Sequence, residues 1–339
     1  MTLPRPNIAI LGGGPGGYEA ALVAAQLGAD VTVVDEDGLG GACVLTDCVP
    51  SKTLIESSST MTSLGRSASL GLQLANGDNP VVGVDAPALN DNDELAFVAN
   101  VRRGRDMLDV LYFWNGRRLQ RLVAEGDRLL RTGGAMDKIG EPALNNSGVI
   151  AFPAAIFKGP ALGGIFVAGA RDLRLLVGTG DQAPGGAMIL RFSERVAIDD
   201  EDGIAFGTHL GKDGVTREAV LRAGPEGLAE LAVEGAPAPG GGRYAGFGPW
   251  PTVGPDGMTA FIAALDGGPG PLAAFAGATG DIRRVATMGE TLPQGESIGR
   301  FALNAVAVAG PGGALTFATV AQEEGKHNAI YCRCPGPAR

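Results

Sequence analysis

The residues best equipped for chemistry lie near the start of the chain, where Gly12-Gly13-Gly14-Pro15-Gly16-Gly17 is followed, further on, by Asp35. A glycine run between a strand and a helix brings free helix-start amides up to a pyrophosphate. Gly12 would permit the turn, Gly14 would let the backbone approach the phosphates, and Gly17 would let helix and sheet close up. Asp35 is placed to accept from an adenosine ribose. The four cysteines fall as Cys43-x4-Cys48 and Cys332-x-Cys334. With two histidines in the chain, a zinc centre would need these distant pairs to meet, so no metal site is expected. Asp127 and Asp181 sit at repeated positions but lack the dense alternation of acids of a calcium loop, and they read as turn caps.

The elements that must position the glycine run follow from the local pattern. Residues 7–11 form an apolar strand candidate, residues 18–27 an alanine-rich helix stopped by Gly28, and residues 30–35 a second strand ending in the acid. Strand, turn, helix and terminal acid in this order open a dinucleotide-type βαβ unit.

Beyond Asp35 comes Gly40-Gly41-Ala42-Cys43-Val44-Leu45-Thr46-Asp47-Cys48-Val49-Pro50-Ser51-Lys52. This run resembles the redox-active segment of the flavoprotein disulfide reductases: dihydrolipoamide dehydrogenase, glutathione reductase and their quinone-reducing relatives. The resemblance covers about residues 5–66 and fades through 67–74. It implies FAD and, for turnover, NAD(P)H. It makes Cys43 the interchange thiol and Cys48 the thiol against the flavin, and it places Lys52 near the ring, where its charge favours the reduced, anionic form. The spacing is compatible with these roles: the two thiols would lie about 1.4 helical turns apart and could bridge if the helix start distorts. Helix-start amides and a nearby lysine favour a thiolate. Two reduced, buried cysteines kept from a redox-active ancestor are the other reading. The chain departs from the family downstream, with no second Gly-x-Gly-x-x-Gly and no catalytic histidine segment around His209 or His327. A lone βαβ unit lacks the apolar surface to stand by itself.

The rest of the chain has another organisation. Phe97, Phe152, Phe206, Phe261 and Phe317 recur every 54 to 56 residues, each closing a stretch of the type Asn-x-x-Gly-x-x-Ala-Phe. In the first copy Glu94 is read as standing where glycine is expected, and in the last Thr316 replaces alanine. Gly126-Asp127, Gly180-Asp181, Gly235-Ala236 and Gly289-Glu290 keep the same period, each after an apolar strand candidate. One copy parses into four strands, residues 149–156, 164–167, 173–177 and 188–198, the last broken near Ser193. Four strands in a unit somewhat longer than the common blade of about 40–45 residues predict a β-propeller, with an open β-solenoid as the alternative. In this reading the Asn-x-x-Gly stretch makes the turn into the first strand and the phenylalanine wedges between sheets. Two half-blades, residues 70–74 with 81–84 from the start and residues 329–331 from the end, would complete a fifth blade and close the ring, removing its open edges. This region, residues 75–330, resembles bacterial tandem-repeat proteins named for the NxxGxxAF motif, a resemblance that implies no activity.

Composition agrees with a turn-rich β protein: 55 glycines, 22 prolines and 5% aromatics. The formal charge of −10, with no basic block, argues against a nucleic acid or anionic-membrane partner. Arg102, Arg103 and Arg105 read as a solvated face. Trp114 is expected in the core, Trp250 beside a turn, and Cys332 and Cys334 in a frayed tail. No apolar segment reaches the length of about 18 residues that a membrane helix needs. No signal-peptide pattern opens the chain and no surface anchor is recognised, so a cytoplasmic protein is expected. The organisation that follows is mainly β: a truncated Rossmann-like βαβ unit with the redox segment at 1–66, a five-bladed propeller at 67–332, and a tail at 333–339. The expected function is an FAD-dependent pyridine nucleotide-disulfide or quinone oxidoreductase-like segment fused to a repeat-built propeller. The alternative is a non-catalytic propeller that binds a protein or small molecule.

Overall fold

The computed structural model describes residues 6–35, 81–130, 132–169, 172–254, 257–291, 297–309, 314–320 and 329–333. The chain divides into two compact units, Met1–Gly77 and Asp78–Arg339.

In the first unit, β1 (Asn7–Leu11) and β2 (Asp30–Val34) pair in parallel from Asn7 opposite Asp30 to Leu11 opposite Val34. They are connected by α1 (Pro15–Gln26). The helix begins three residues before the expected start at 18. Proline at the first helical position has its φ already set and gives up an N–H that had no partner there, so the helix extends back to it. Leu27 and Gly28 close the helix through bonds to Val23 O and Ala25 O, with Gly28 at φ +89°. No residue of α1 is buried, and Leu22, Val23 and Leu27 are each more than half exposed.

Among the described residues the second unit consists of five antiparallel sheets in chain order. Sheet 1 is β3 (Val81–Leu89), β4 (Leu95–Arg103), β5 (Asp106–Trp114) and β6 (Leu119–Ala124). In sheet 2, β7 (Ala135–Ile139) and the short β8 (Ala143–Leu144) both pair β9 (Ile150–Phe157), followed by β10 (Gly163–Ala168) and β11 (Leu173–Gly178). Sheet 3 is β12 (Met188–Ile198), β13 (Ile204–Lys212), β14 (Val215–Gly224) and β15 (Gly227–Val233). In sheet 4, β16 (Arg243–Phe247) and β17 (Thr252–Val253) both pair β18 (Thr259–Asp266), followed by β19 (Leu272–Gly277) and β20 (Arg283–Thr287). Sheet 5 is β21 (Arg300–Ala309), β22 (Ala314–Val320) and β23 (Ala329–Arg333).

The strands fall close to where the pattern puts them, but their grouping differs by one. β12 pairs with β13, from Met188 opposite Gly211 to Ile198 opposite Ile204, and so belongs to the sheet of Phe206 rather than to that of Phe152. The reason is loop closure: the motif turn between β12 and β13 is shorter than the connection from β11 to β12, and a short antiparallel hairpin is the less costly pairing. The composite sheet is likewise not formed as expected. β3 pairs β4 and β23 pairs β22, and among the described residues no pairing joins β3 to β23; residues 70–74 lie outside them. Cys332 lies opposite Thr316 in β23 rather than in a frayed tail, and Cys334 lies outside the described residues.

The cores lie between consecutive sheets. Phe152 packs with Ala96, Val98, Leu111 and Phe113 of sheet 1. Phe206 packs with Ile165, Val167 and Val177 of sheet 2, and Phe261 with Val220 and Ala232 of sheet 3. Each of these phenylalanines therefore faces the preceding sheet and is at most 1% exposed. A cross-strand ring doubles the wedge, Phe166 for Phe152 and Phe275 for Phe261, with centroids 5.7 and 5.6 Å apart.

Candidate functional site

In the first unit the glycine turn is assembled. Gly12 has φ +102°, a conformation that favours glycine. A Cβ at Gly17 would overlap the Gly12 carbonyl oxygen, so only glycine lets the helix start this close to β1. Gly14 caps the helix with φ −68° and ψ 179°, open to any residue, so the backbone itself does not require glycine there. Asp35 Oδ2 accepts from Gly13 N at 2.5 Å, across the mouth of the turn. The first-turn amides of α1 have no side-chain cap and no acid among them. These residues fit the diphosphate and adenosine end of a dinucleotide such as FAD, with one oxygen of Asp35 already engaged. Cys43, Cys48 and Lys52, which would serve the flavin end, lie outside the described residues.

The second unit builds its own polar constellation at the motif turns. The side chains of Asn90, Asn145 and Asp199, each seven residues before its phenylalanine, are buried. Asn145 Oδ1 accepts from Ser147 N and Val149 N at 3.1 and 2.9 Å, and Asn90 and Asp199 close their own turns in the same way. The side chains also connect the sheets. Asn90 Nδ2 donates to Asn145 O at 2.9 Å, and Asn145 Nδ2 donates to Asp199 O at 3.0 Å and to Asp202 Oδ1 at 2.9 Å. Asp199 cannot donate onward as asparagine does, and its carboxylate instead receives the Arg222 guanidinium. The left-handed residue of each turn is Asp93, Gly148, Asp202 or Gly257, always four before the phenylalanine. The reading of Glu94 as the glycine position is therefore corrected to Asp93, because aspartate also tolerates this conformation.

Asp127 and Asp181 cap turns as expected: Asp127 Oδ2 accepts from Ala124 N at 2.9 Å, and Asp181 Oδ2 from Gly178 N at 2.7 Å. Arg102, Arg103 and Arg105 are exposed around the β4–β5 hairpin, and Trp114 is half-buried at the end of β5.

The first strand of each sheet is interrupted. The expected break at Ser193 is a bulge between Phe192 and Val196, and the gaps between β7 and β8 and between β16 and β17 stand at the corresponding places. These interruptions meet. Arg195 pairs with Glu141, and its guanidinium lies 4.3 Å from the centre of the Trp250 ring. Glu141, Arg195 and Trp250 each stand eleven residues before the phenylalanine of their sheet. Sequence reasoning missed this chain of contacts, although aligning the copies on phenylalanine puts all three in one column. Beside it lies a cavity of about 710 Å³ between sheets 2 and 3.

A row of polar side chains crosses sheet 3 at its rim, Arg191, His209 and Glu218 standing opposite one another on β12, β13 and β14. Arg191 Nη2 lies 2.6 Å from His209 Nε2, and Glu218 Oε1 lies 3.6 Å from the same nitrogen. One nitrogen cannot accept from arginine and donate to glutamate at once. The shorter contact makes it the acceptor of a neutral imidazole, and burial, then Arg191, holds the His209 pKa below its usual 6.5.

The chain belongs to a family of unknown function, DUF7453, whose profile matches residues 52–334. Its N-terminal segment is similar to other proteins. It is 59% identical over 71 residues to an NAD(P)H dehydrogenase (quinone) of Mycobacterium tuberculosis, 20% of this chain and 14% of that one. It is 43% identical over 71 residues to a dihydrolipoyl dehydrogenase of Bacillus subtilis, 21% of this chain and 16% of that one. The chain thus spans about a seventh of the length of these relatives. A solved glycosyl hydrolase from Bacteroides ovatus aligns over 74% of this chain and 81% of its own, at 11% identity and a TM-score of 0.30, too slight a likeness to carry a fold or an activity over. No helix among the described residues is long and apolar enough to cross a membrane.

Proposed function

We propose that the protein is a five-bladed β-propeller that binds a ligand without transforming it, joined to a segment of flavoprotein descent. One observation carries the ring. Phe152, Phe206 and Phe261 each face the preceding sheet, and Phe97 is fully buried on the corresponding face of the first sheet, together with Ala99 and Tyr112. The last sheet, brought round beside the first, is the cover that this pattern calls for. The same-column contacts among Glu141, Arg195 and Trp250, and among Asn90, Asn145 and Asp199, support the reading. Equivalent residues of rotated copies touch only near the axis, so the interrupted first strands line the centre, where propellers hold ligands.

A second reading is favoured by the glycine turn at Gly12, Gly14 and Gly17 and by the named activities of the relatives. In it the N-terminal segment holds FAD and belongs to an NAD(P)H-dependent oxidoreductase of the dihydrolipoamide dehydrogenase type, with Cys43 and Cys48 as its redox pair. The visible spectrum of the purified chain, before and after incubation with FAD, separates the two. The binding reading expects a colourless protein that does not oxidise NADH with a quinone or lipoamide as acceptor. A flavin-coloured protein that does so would overturn it.

A further inference from the structure

We infer that the cavity between sheets 2 and 3 is a binding site for a small zwitterion with an apolar body, of the short apolar peptide type. This rests on the binding reading above, but not on closure of the ring. At about 710 Å³ the cavity lies within the usual range of roughly 300–1,000 Å³ for small-molecule sites. Its wall presents Lys138 and Glu194. Glu141 and Arg195, also in the wall, are engaged with one another. The Arg191 side chain lies on the other face of sheet 3, where it donates to a neutral His209 beside Glu218. The cavity thus offers one cation and one anion to a ligand, beside the apolar side chains of Leu162, Leu190 and Phe192. Leu162 and Leu190 are 78% and 46% exposed and so open to a ligand's apolar groups. A carboxylate would be held by Lys138, an ammonium by Glu194, and aliphatic side chains by the leucines. A purely anionic ligand would leave Glu194 opposing it, and a purely cationic one would leave Lys138 opposing it.

The test is calorimetric titration of the full chain with leucyl-leucine, N-acetyl-leucyl-leucine and leucyl-leucine amide. Saturable binding of the free dipeptide is expected, weaker by about tenfold in each blocked form, the equivalent of about 1.4 kcal/mol for one lost charge-assisted contact. Glu194→Gln should erase the preference for the free amine, and Lys138→Met the preference for the free carboxylate. Both side chains are exposed, so neither substitution endangers the fold; Arg191→Leu, checked for folding by circular dichroism, lies on the other face of sheet 3 and should leave both preferences unchanged. No saturable binding, equal binding of the three peptides, or preferences unmoved by Glu194→Gln and Lys138→Met would overturn the inference. Spin-label distances between sheets test the ring independently.

Discussion

Replacing Asn145 by alanine removes four hydrogen bonds from a side chain only 3% exposed. Two close its own turn, at 3.1 and 2.9 Å, and two reach sheet 3, at 3.0 Å to Asp199 O and 2.9 Å to Asp202 Oδ1. At a net value of about 1 kcal/mol each, the sum is about 4 kcal/mol. Ser147 is exposed and its amide can turn to water, so about 3 kcal/mol is the expected loss. In a unit of this size that corresponds to a fall in Tm of roughly 10 °C. Asn146→Ala is the matched control. Its side chain also spans sheets, to Asp91 Oδ2 and Asp200 Oδ2 at 3.0 Å, but in solvent, and should cost under about 1 kcal/mol. Urea denaturation followed by tryptophan fluorescence reads both, because Trp114 lies in sheet 1 and Trp250 in the gap of the first strand of sheet 4. Equal, small losses for Asn145→Ala and Asn146→Ala would refute the reasoning that buried turn asparagines connect the sheets.

Phe206→Ala should cost about 3–5 kcal/mol, since the ring is fully buried between sheets 2 and 3, and a loss below about 1 kcal/mol in chemical denaturation would count against the wedge. Gly148→Ala should destabilise by about 1–2 kcal/mol through its φ of +75°, while Asp93→Gly, at φ +57°, should be neutral or stabilising; the opposite order would contradict the turn assignment. His209 has a folded pKa depressed below 6.5, so the folded protein binds fewer protons there than the unfolded chain does. Its contribution is fully present above pH 6.5 and is lost as pH falls through the lower folded value. The stability difference between wild type and His209→Gln should therefore shrink below pH 6.5, and a difference flat with pH would remove the neutral imidazole from the Arg191 contact.

The sequence made β1, α1 and β2 legible because the glycine run, the alanine-rich stretch and the alternation in residues 30–34 all say the same thing locally. The wedges were legible because a fully apolar side chain at a fixed period has few other uses, and the bulge at Ser193 because Ser193, Glu194 and Arg195 interrupt a mainly apolar strand. The phase of the sheets was not. A strand such as β12 alternates in a way that suits a neighbour on either side, and only the short turn at 199–203 decides which neighbour it takes. Asp93 is not legible as the left-handed residue because glycine is the usual mark of that conformation, although aspartate adopts the same φ. Glu141, Arg195 and Trp250 share a column but not a chemistry, and their contact follows from where the copies meet rather than from what the residues are.

The hairpins after the first phenylalanine-bearing strands give the most direct test of the ring, by electron-electron resonance between spin labels at Arg105 and Asp213, and between labels at Arg105 and Pro269. All three positions are exposed and stand at corresponding hairpins of sheets 1, 3 and 4. In a closed ring of five, sheets 3 and 4 are both two steps from sheet 1, by opposite ways round, and the two distances should match. A distance to Pro269 clearly longer than that to Asp213 would mean that the array runs open and that Phe97 is covered by something other than the last sheet.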